Sequence, residues 1–406
     1  MDSNTTQHSI PSHVPPELVF NFSFKTQPGV EDDPHKAGAK VFDLPDVFYS
    51  PLADEGNGGW IVARIALARE VYQDWEKFSS WQEARASQLL GEDWILTPIA
   101  MDPPEHTKYR AIVNPIFSPK RVAELEAPVR KTCVELIEAV KDKGHCEFVS
   151  AFGRPYPVTV FLTLMGLPLE KTQTFVDWEE GLLHAKTPEQ AYASASATRA
   201  YAEEVLNDRR AHPRDDLTSL IANAVVDGKP MAHREAVGMF FLFYLAGLDT
   251  VTSALGFIFR TLGTRLDLQR QLRENRDLIP NAIEELLRVY TLVESKRLVT
   301  HDLEFHGVKM KKGDWVCIGT PVSGHDTREY PDAGTIDFTR ENQRHLAFAS
   351  GPHRCIGSHL ARREIKLAIE EWFDRVPEFR VKPNSPVNAT AHIVWQLTNL
   401  ELEWDV

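Results

Sequence analysis

Cysteine is scarce in this chain: four residues in 406, Cys133, Cys146, Cys317 and Cys355, with no Cys-x-x-Cys spacing. That scarcity excludes a disulfide-framed secreted scaffold and a thiolate zinc module, and it fits a reducing compartment. Positive charge is the second shortage, since 45 Lys and Arg face 58 Asp and Glu for a net charge of -13. Such a balance argues against a general nucleic-acid binder. Long hydrophobic runs are missing too. The longest apolar stretch, residues 239–246, is well short of a membrane span. The polar, proline-bearing residues 1–17 lack the basic-then-apolar order of a signal peptide. The expectation is a soluble, cytoplasmic protein without a membrane anchor, in which the glycosylation triplets at Asn4, Asn21 and Asn388 are chance matches.

What is present is a large core. Hydrophobic residues make up 43% of the chain and nine residues are Trp. No repeat, low-complexity tract or linker interrupts it, so it reads as a loose N-terminal arm over 1–20 and one compact, mostly helical domain over 21–406. Two short strands, 47–50 and 60–63, flank Glu55-Gly56-Asn57-Gly58-Gly59. A strand and not a helix follows those glycines, so they form a hairpin turn and not a phosphate cradle. Helical periodicity covers 66–74, 119–143, 158–165, 169–183, 188–211, 216–223 and 233–262, whereas 78–100 shows little. The helix over 233–262 is apolar on every side at its middle, the mark of an interior helix. Strands at 303–305, 308 and 315–318 are expected to build a small sheet with the C-terminal strands from 379 and from 391.

The chemistry concentrates in Phe348-Ala349-Ser350-Gly351-Pro352-His353-Arg354-Cys355-Ile356-Gly357. Behind it, Ala361, Ile365, Ala368, Ile369 and Trp372 recur at helical spacing, which puts Cys355 at a helix N-terminus. Exposed amides there favour an anionic sulfur suited to a metal, and Gly351 and Gly357 leave room for a flat group to approach. A lone cysteine would otherwise be an inert core residue. Further upstream, Asp102-Pro103-Pro104-Glu105-His106 reads as a helix entry capped by Asp102, with His106 and Arg110 on one face. Inside the interior helix, Ala246-Gly247-Leu248-Asp249-Thr250 places an acid, a hydroxyl and a glycine where each is costly. Thr250 either back-bonds to the carbonyl of Ala246 or serves a reaction, and the two are compatible. Glu285-Leu286-Leu287-Arg288 is a weak motif that by itself describes an ordinary helical ion pair.

Together these motifs resemble the cytochrome P-450 monooxygenases. The ten residues from Phe348 to Gly357 match the haem-binding loop. Val293, Phe305-His306-Gly307 and Leu360-Ala361-Arg362-Arg363 bring the chain nearest to the soluble bacterial camphor-hydroxylase branch. The resemblance implies a mainly α fold with small β-sheets, a triangular helical domain with haem b between the long central helix and the Cys-loop helix. It implies Cys355 as axial ligand of the haem iron, Phe348 and Gly247 beside the haem, and His106, Arg110, Arg297 and His353 as propionate partners. Asp249 and Thr250 become the proton-delivery pair, and Glu285, Arg288 and Arg340 a structural brace.

The implied reaction is hydroxylation of a small hydrophobic substrate with O2. Electrons would come from an iron-sulfur ferredoxin and its flavin-dependent reductase, docking on Lys108, Arg110, Arg354 and Arg363. Trp94, Leu242, Leu245, Val293, Ile393 and Val394 are the substrate-pocket candidates. Trp94 stands where camphor-specific enzymes carry a tyrosine donor, so an ionone-like terpenoid or norisoprenoid ketone fits better than camphor. A hydrogen-peroxide-driven peroxygenase and a non-catalytic haem-thiolate binder or sensor are the alternative readings. The intact Asp249-Thr250 pair speaks against the first, and turnover with a reductase system discriminates the second, which would not need that pair.

Overall fold

The computed structural model describes residues 10–406. The triplet at Asn4 and the first nine residues of the arm lie outside the described residues. The chain divides into two compact units, each built from three separated segments. One comprises residues up to Ser80, Gly256–Cys355 and Pro383–Leu400, and the other Trp81–Leu255, Ile356–Lys382 and Glu401–Val406. A linker is absent from the sequence pattern because boundaries fall inside continuous elements such as helix His233–Thr264.

The unit that ends one of its segments at Cys355 is organised by a five-stranded sheet. Val47–Ser50 pairs antiparallel with Gly59–Val62, which runs parallel to Trp315–Ile318. Ser295–Val299 and Phe78–Ser79 complete the order. The expected partnership of strand 315–318 with the C-terminal strands is therefore corrected. The strand from Ala389 to Ala391 pairs with Trp395–Leu397 by itself, and the neighbours of strand 315–318 are Gly59–Val62 of the N-terminal hairpin and Ser295–Val299. Every residue of Val47–Ser50 and Gly59–Val62 is buried, so these are core strands that need cover on both faces. Leu303–Phe305 and Val308–Met310 form a separate hairpin whose turn, His306 and Gly307, has φ of +47° and +81°.

Residues 10–20, read from sequence as loose, are packed. Val14 is buried, His13 pairs with Asp314 at 2.8 Å, and the Phe20 N–H donates to the Tyr49 carbonyl. Val14, Leu18 and Val19 lie against the core around Trp60, Tyr72 and Phe78, and that burial outweighs the ordering cost of a short polar arm.

Next to this sheet in the chain, helix Ile279–Val289 carries a fully buried ion cluster. Arg288 Nε and Nη2 donate to the Glu285 carboxylate at 2.8 and 2.9 Å, and Arg340 Nε reaches both oxygens at 3.1 Å. The Asp337 N–H adds a further bond to Glu285, while Arg288 also donates to the carbonyls of Gly324, Ala333 and Thr335. The weak sequence motif is thus no surface pair. It pins the irregular segment between residues 324 and 340.

In the other unit, helices dominate. Thr172–Leu183 packs on Pro188–Ala211, which starts at a Thr187 cap accepting from the Gln190 N–H, with proline in its first turn. The expected helix over 119–143 is broken at Leu125 into Pro119–Glu124 and Glu126–Glu138. Asp102 is not a cap, because the helix carrying His106 begins only at Glu105, after Pro103 and Pro104. Helix Ser358–Arg375 buries Trp372 completely against Phe148, Phe152, Phe379 and Trp404. Helix His233–Thr264 is 32 residues long and, by length and composition, apolar enough to cross a membrane. Most of its apolar stretch is buried, so its apolarity is spent inside the protein. Gly238 permits this: a Cβ there would lie 1.9 Å from the Ile95 carbonyl oxygen.

Truncating Glu285 to alanine should cost about 3–5 kcal/mol, because it leaves the fully buried Arg288 guanidinium without its counter-charge. The fall in the urea-unfolding midpoint relative to wild type measures it.

Candidate active site

Residues 346–355 fold as a series of tight turns ahead of helix Ser358–Arg375. The Ala349 N–H donates to the Leu346 carbonyl, the Arg354 N–H to Gly351, and the Cys355 N–H back to Phe348 at 2.9 Å. Gly351 holds φ +69°, and a Cβ on it would meet the Tyr72 carbonyl oxygen at 2.4 Å, so no other residue fits there. Cys355 lies three residues before the helix and not in its first turn, so the loop itself presents the sulfur. Of the four cysteines only this one is exposed. Burial pushes the Cys146 and Cys317 thiols up to about 12 and that of Cys133 higher still, which leaves them as core residues.

In the same unit, Arg297 sits on strand Ser295–Val299 with its guanidinium over the Tyr72 ring, 5.1 Å from the centroid, and Nη1 donating to the Lys296 carbonyl. His353 is buried within the Cys355 loop. Val293 bridges Val394, and the Glu294 N–H donates to the Ile393 carbonyl. The Ile393 side chain is 61% exposed, the least enclosed of the pocket candidates.

In the helical unit, His106 and Arg110 lie one turn apart on helix Glu105–Val113. Burial, and then the neighbouring Arg110, push the His106 imidazole down to about 4. The imidazole is therefore neutral at pH 7. Arg110 Nε donates to Asn114 Oδ1 at 3.1 Å. Lys108 is engaged by Glu105 and Asp227, and Arg363 by Glu126, which weakens both as free docking charges.

Along helix His233–Thr264, Leu242, Leu245, Ala246 and Thr250 are accessible while Phe241, Tyr244, Leu248 and Asp249 are buried. The accessible set follows i, i+3, i+4, i+8 spacing, so one stripe of an interior helix is open to a bound group. Gly247 stands on its edge, 3.1 Å from Phe161 by its virtual Cβ. Thr250 Oγ1 donates to the Ala246 carbonyl at 2.9 Å, the back-bond anticipated from sequence. Beside it, Asp249 points away from the stripe into the protein. Its Oδ1 lies 4.0 Å from His184 Nε2, and Glu179 completes a cluster whose ligand atoms all lie within 4.8 Å of one another. Burial raises the Asp249 carboxyl to about 7, and burial with Asp249 beside it raises that of Glu179 to about 8.

Sequence reasoning missed Glu179, His184 and Glu92. Glu179 had a legible signal, since Phe175, Glu179 and Leu182 share the apolar face of helix Thr172–Leu183 and an acid on that face has to be buried. Glu92 narrows what Trp94 has to offer. The Trp94 indole N–H donates to the Glu92 carboxylate, which Arg199 Nε also engages at 3.0 Å. Trp94 is 4% exposed and packs on Phe241 with ring centroids 4.6 Å apart. Its one donor is committed, so only the faces of its ring are left for apolar packing.

These features have counterparts in known proteins. The family profile described as cytochrome P450 matches residues 184–394. A protein of Sinorhizobium fredii named probable cytochrome P450 127A1 is 38% identical over 403 residues, covering 97% of each chain. Linalool 8-monooxygenase of Pseudomonas putida is 28% identical, covering 86% of this chain and 90% of its own. Among solved structures, that of CYP101J2 superposes with a TM-score of 0.88 at 31% identity, over 98% of this chain and all of the other.

The buried carboxyl pair has a consequence for stability. Folding binds protons that the unfolded chain releases from ordinary values of 3.8 and 4.5. The pair therefore favours the native state most below that range, and the favour is lost as pH climbs through about 7 to about 8. Between about pH 5 and 8 the urea midpoint of wild type should fall more steeply than that of Glu179→Gln, which denaturation series in matched buffers will measure.

Proposed function

This chain belongs to the cytochrome P450 family, and from that premise we propose how its residues share the work of a haem-thiolate monooxygenase acting on a small hydrophobic substrate with O2. Haem b would take its axial ligand from Cys355. Its two carboxylates would be met by the Arg297 and Arg110 guanidiniums, with His353 and His106 as imidazole donors. The fit rests on the open stripe of helix His233–Thr264, which offers a flat apolar face, and on the loop that bares one sulfur. When bound, the haem supplies dioxygen activation, through which one oxygen atom enters a substrate C–H bond and the other leaves as water. The observation that carries the reading is the contrast among the cysteines: three are sealed in the core and Cys355 alone is accessible.

The remaining steps fall to side chains. Thr250, on the open stripe, holds a hydroxyl that can leave the Ala246 carbonyl to order a water and pass on a proton. Asp249, one residue away and buried, holds a proton near neutrality and relays it from the His184 side. Leu242 and Leu245 with Trp94, and Val293 with Val394, offer apolar contacts and no free donor. Apolar side chains of this kind select by shape, so the preferred substrate is a terpenoid or norisoprenoid of ionone-like size, with camphor disfavoured. The similarity to linalool 8-monooxygenase supports a terpenoid skeleton. Electrons come from a small acidic ferredoxin with its flavin reductase, with exposed Arg354 among the docking charges. The site of action is the cytoplasm.

The carbon monoxide difference spectrum of the reduced protein tests the ligand. A strongly red-shifted Soret band is expected in wild type and absent in Cys355→His, and titration with terpenoid ketones should displace the iron-bound water. In Thr250→Ala, oxygen consumption should outrun product formation several-fold. Unfolding stability should change by no more than about 1.5 kcal/mol, since only a back-bond is lost. Measuring O2 uptake and hydroxylated product in the same reaction checks this.

A further inference from the structure

Glu179 and Asp249 are two buried carboxylates with almost no compensation. Glu179 is 1% exposed and Asp249 3%, and Glu179 Oε2 has no hydrogen-bond partner. The guanidinium whose charge both of them feel, on Arg154, is used by Glu180 at 3.0 Å. A cation between two buried carboxylates at this spacing can take the place of the protons they otherwise hold. His184 turns its Nε2 to the same point from the end of helix Thr172–Leu183, where its N–H is fixed to the Glu180 carbonyl.

We propose that Glu179, His184 and Asp249 form a binding site for a divalent transition metal ion of the zinc type. One imidazole nitrogen and two carboxylate oxygens is a donor set for Zn2+, whereas Mg2+ and Ca2+ prefer oxygen ligands throughout. Three protein ligands with one water would complete four-coordination. The ligand atoms, all within 4.8 Å of one another, need to draw in by about 1 Å or less to reach bonds of about 2.0–2.2 Å. Glu179 Oε2 enters with no bond to break, and His184, with 17% of its side chain exposed, gives the ion its entrance.

An ion held there ties up Asp249. Resting on the relay role proposed above, occupancy blocks proton supply to Thr250, so zinc is an inhibitor that acts from behind the helix and does not compete with substrate.

Calorimetric titration of the chelator-treated, haem-loaded protein with ZnCl2 tests the site. One ion per chain is expected, with affinity at least tenfold weaker in both Glu179→Gln and His184→Gln. The first variant is isosteric and the second sits near the surface. No saturable one-ion uptake, or uptake unchanged in either variant, overturns the site. Turnover measured alongside should fall with added zinc in wild type and resist it in His184→Gln. One-site binding that leaves turnover untouched upholds the site and overturns the relay role of Asp249.

Discussion

The bidentate pair between Glu285 and Arg288 is the interaction on which the Cys355-bearing unit depends. Neither side chain has any exposure, so the two charges stabilise the fold only by being fully used. Glu285 gathers Arg340 and the Asp337 N–H, and Arg288 gathers three carbonyls between residues 324 and 335. A hydrophobic replacement of similar volume would hold the helix as well. It would not hold the segment after residue 324, which has no ladder of its own and leads directly into the turns that end at Cys355. The ion cluster fixes the course of irregular chain where sheet and helix cannot.

The same economy of charge is broken deliberately on the helical side. Asp249 and Glu179 are buried without a guanidinium, in contrast to Glu285, and their carboxyls respond by holding protons near neutrality. A group that titrates near pH 7 is of little use as a brace and well suited to passing a proton. Its neighbour Thr250 has the opposite character, an uncharged hydroxyl on the accessible stripe. Adjacent residues on one helix thus face two environments, because successive side chains stand about 100° apart around the axis.

Trp94 shows how a local partner redirects a residue. Seen alone, an indole in a pocket-forming segment is a donor for a carbonyl substrate. With Glu92 two residues away and Arg199 fixing that carboxylate, the N–H is consumed and only the ring remains. The polar chain from Trp94 through Glu92 to Arg199 ties the loop to helix Pro188–Ala211.

The sequence by itself determined the helical class, the span of the interior helix, the start of helix Pro188–Ala211 and the Cys355 loop. Each depends on local patterns: periodicity, a capping threonine followed by proline, and glycines at fixed offsets around one cysteine. Helix Glu105–Val113 shows the limit of that logic, since the prolines after Asp102 delay its start past the apparent cap. Only the tertiary structure decided which strands share the large sheet, that residues 10–20 are packed, and that Glu179, His184 and Asp249 meet. Those outcomes join residues up to about three hundred positions apart, and what selects them is burial and charge compensation, which no window of local sequence contains.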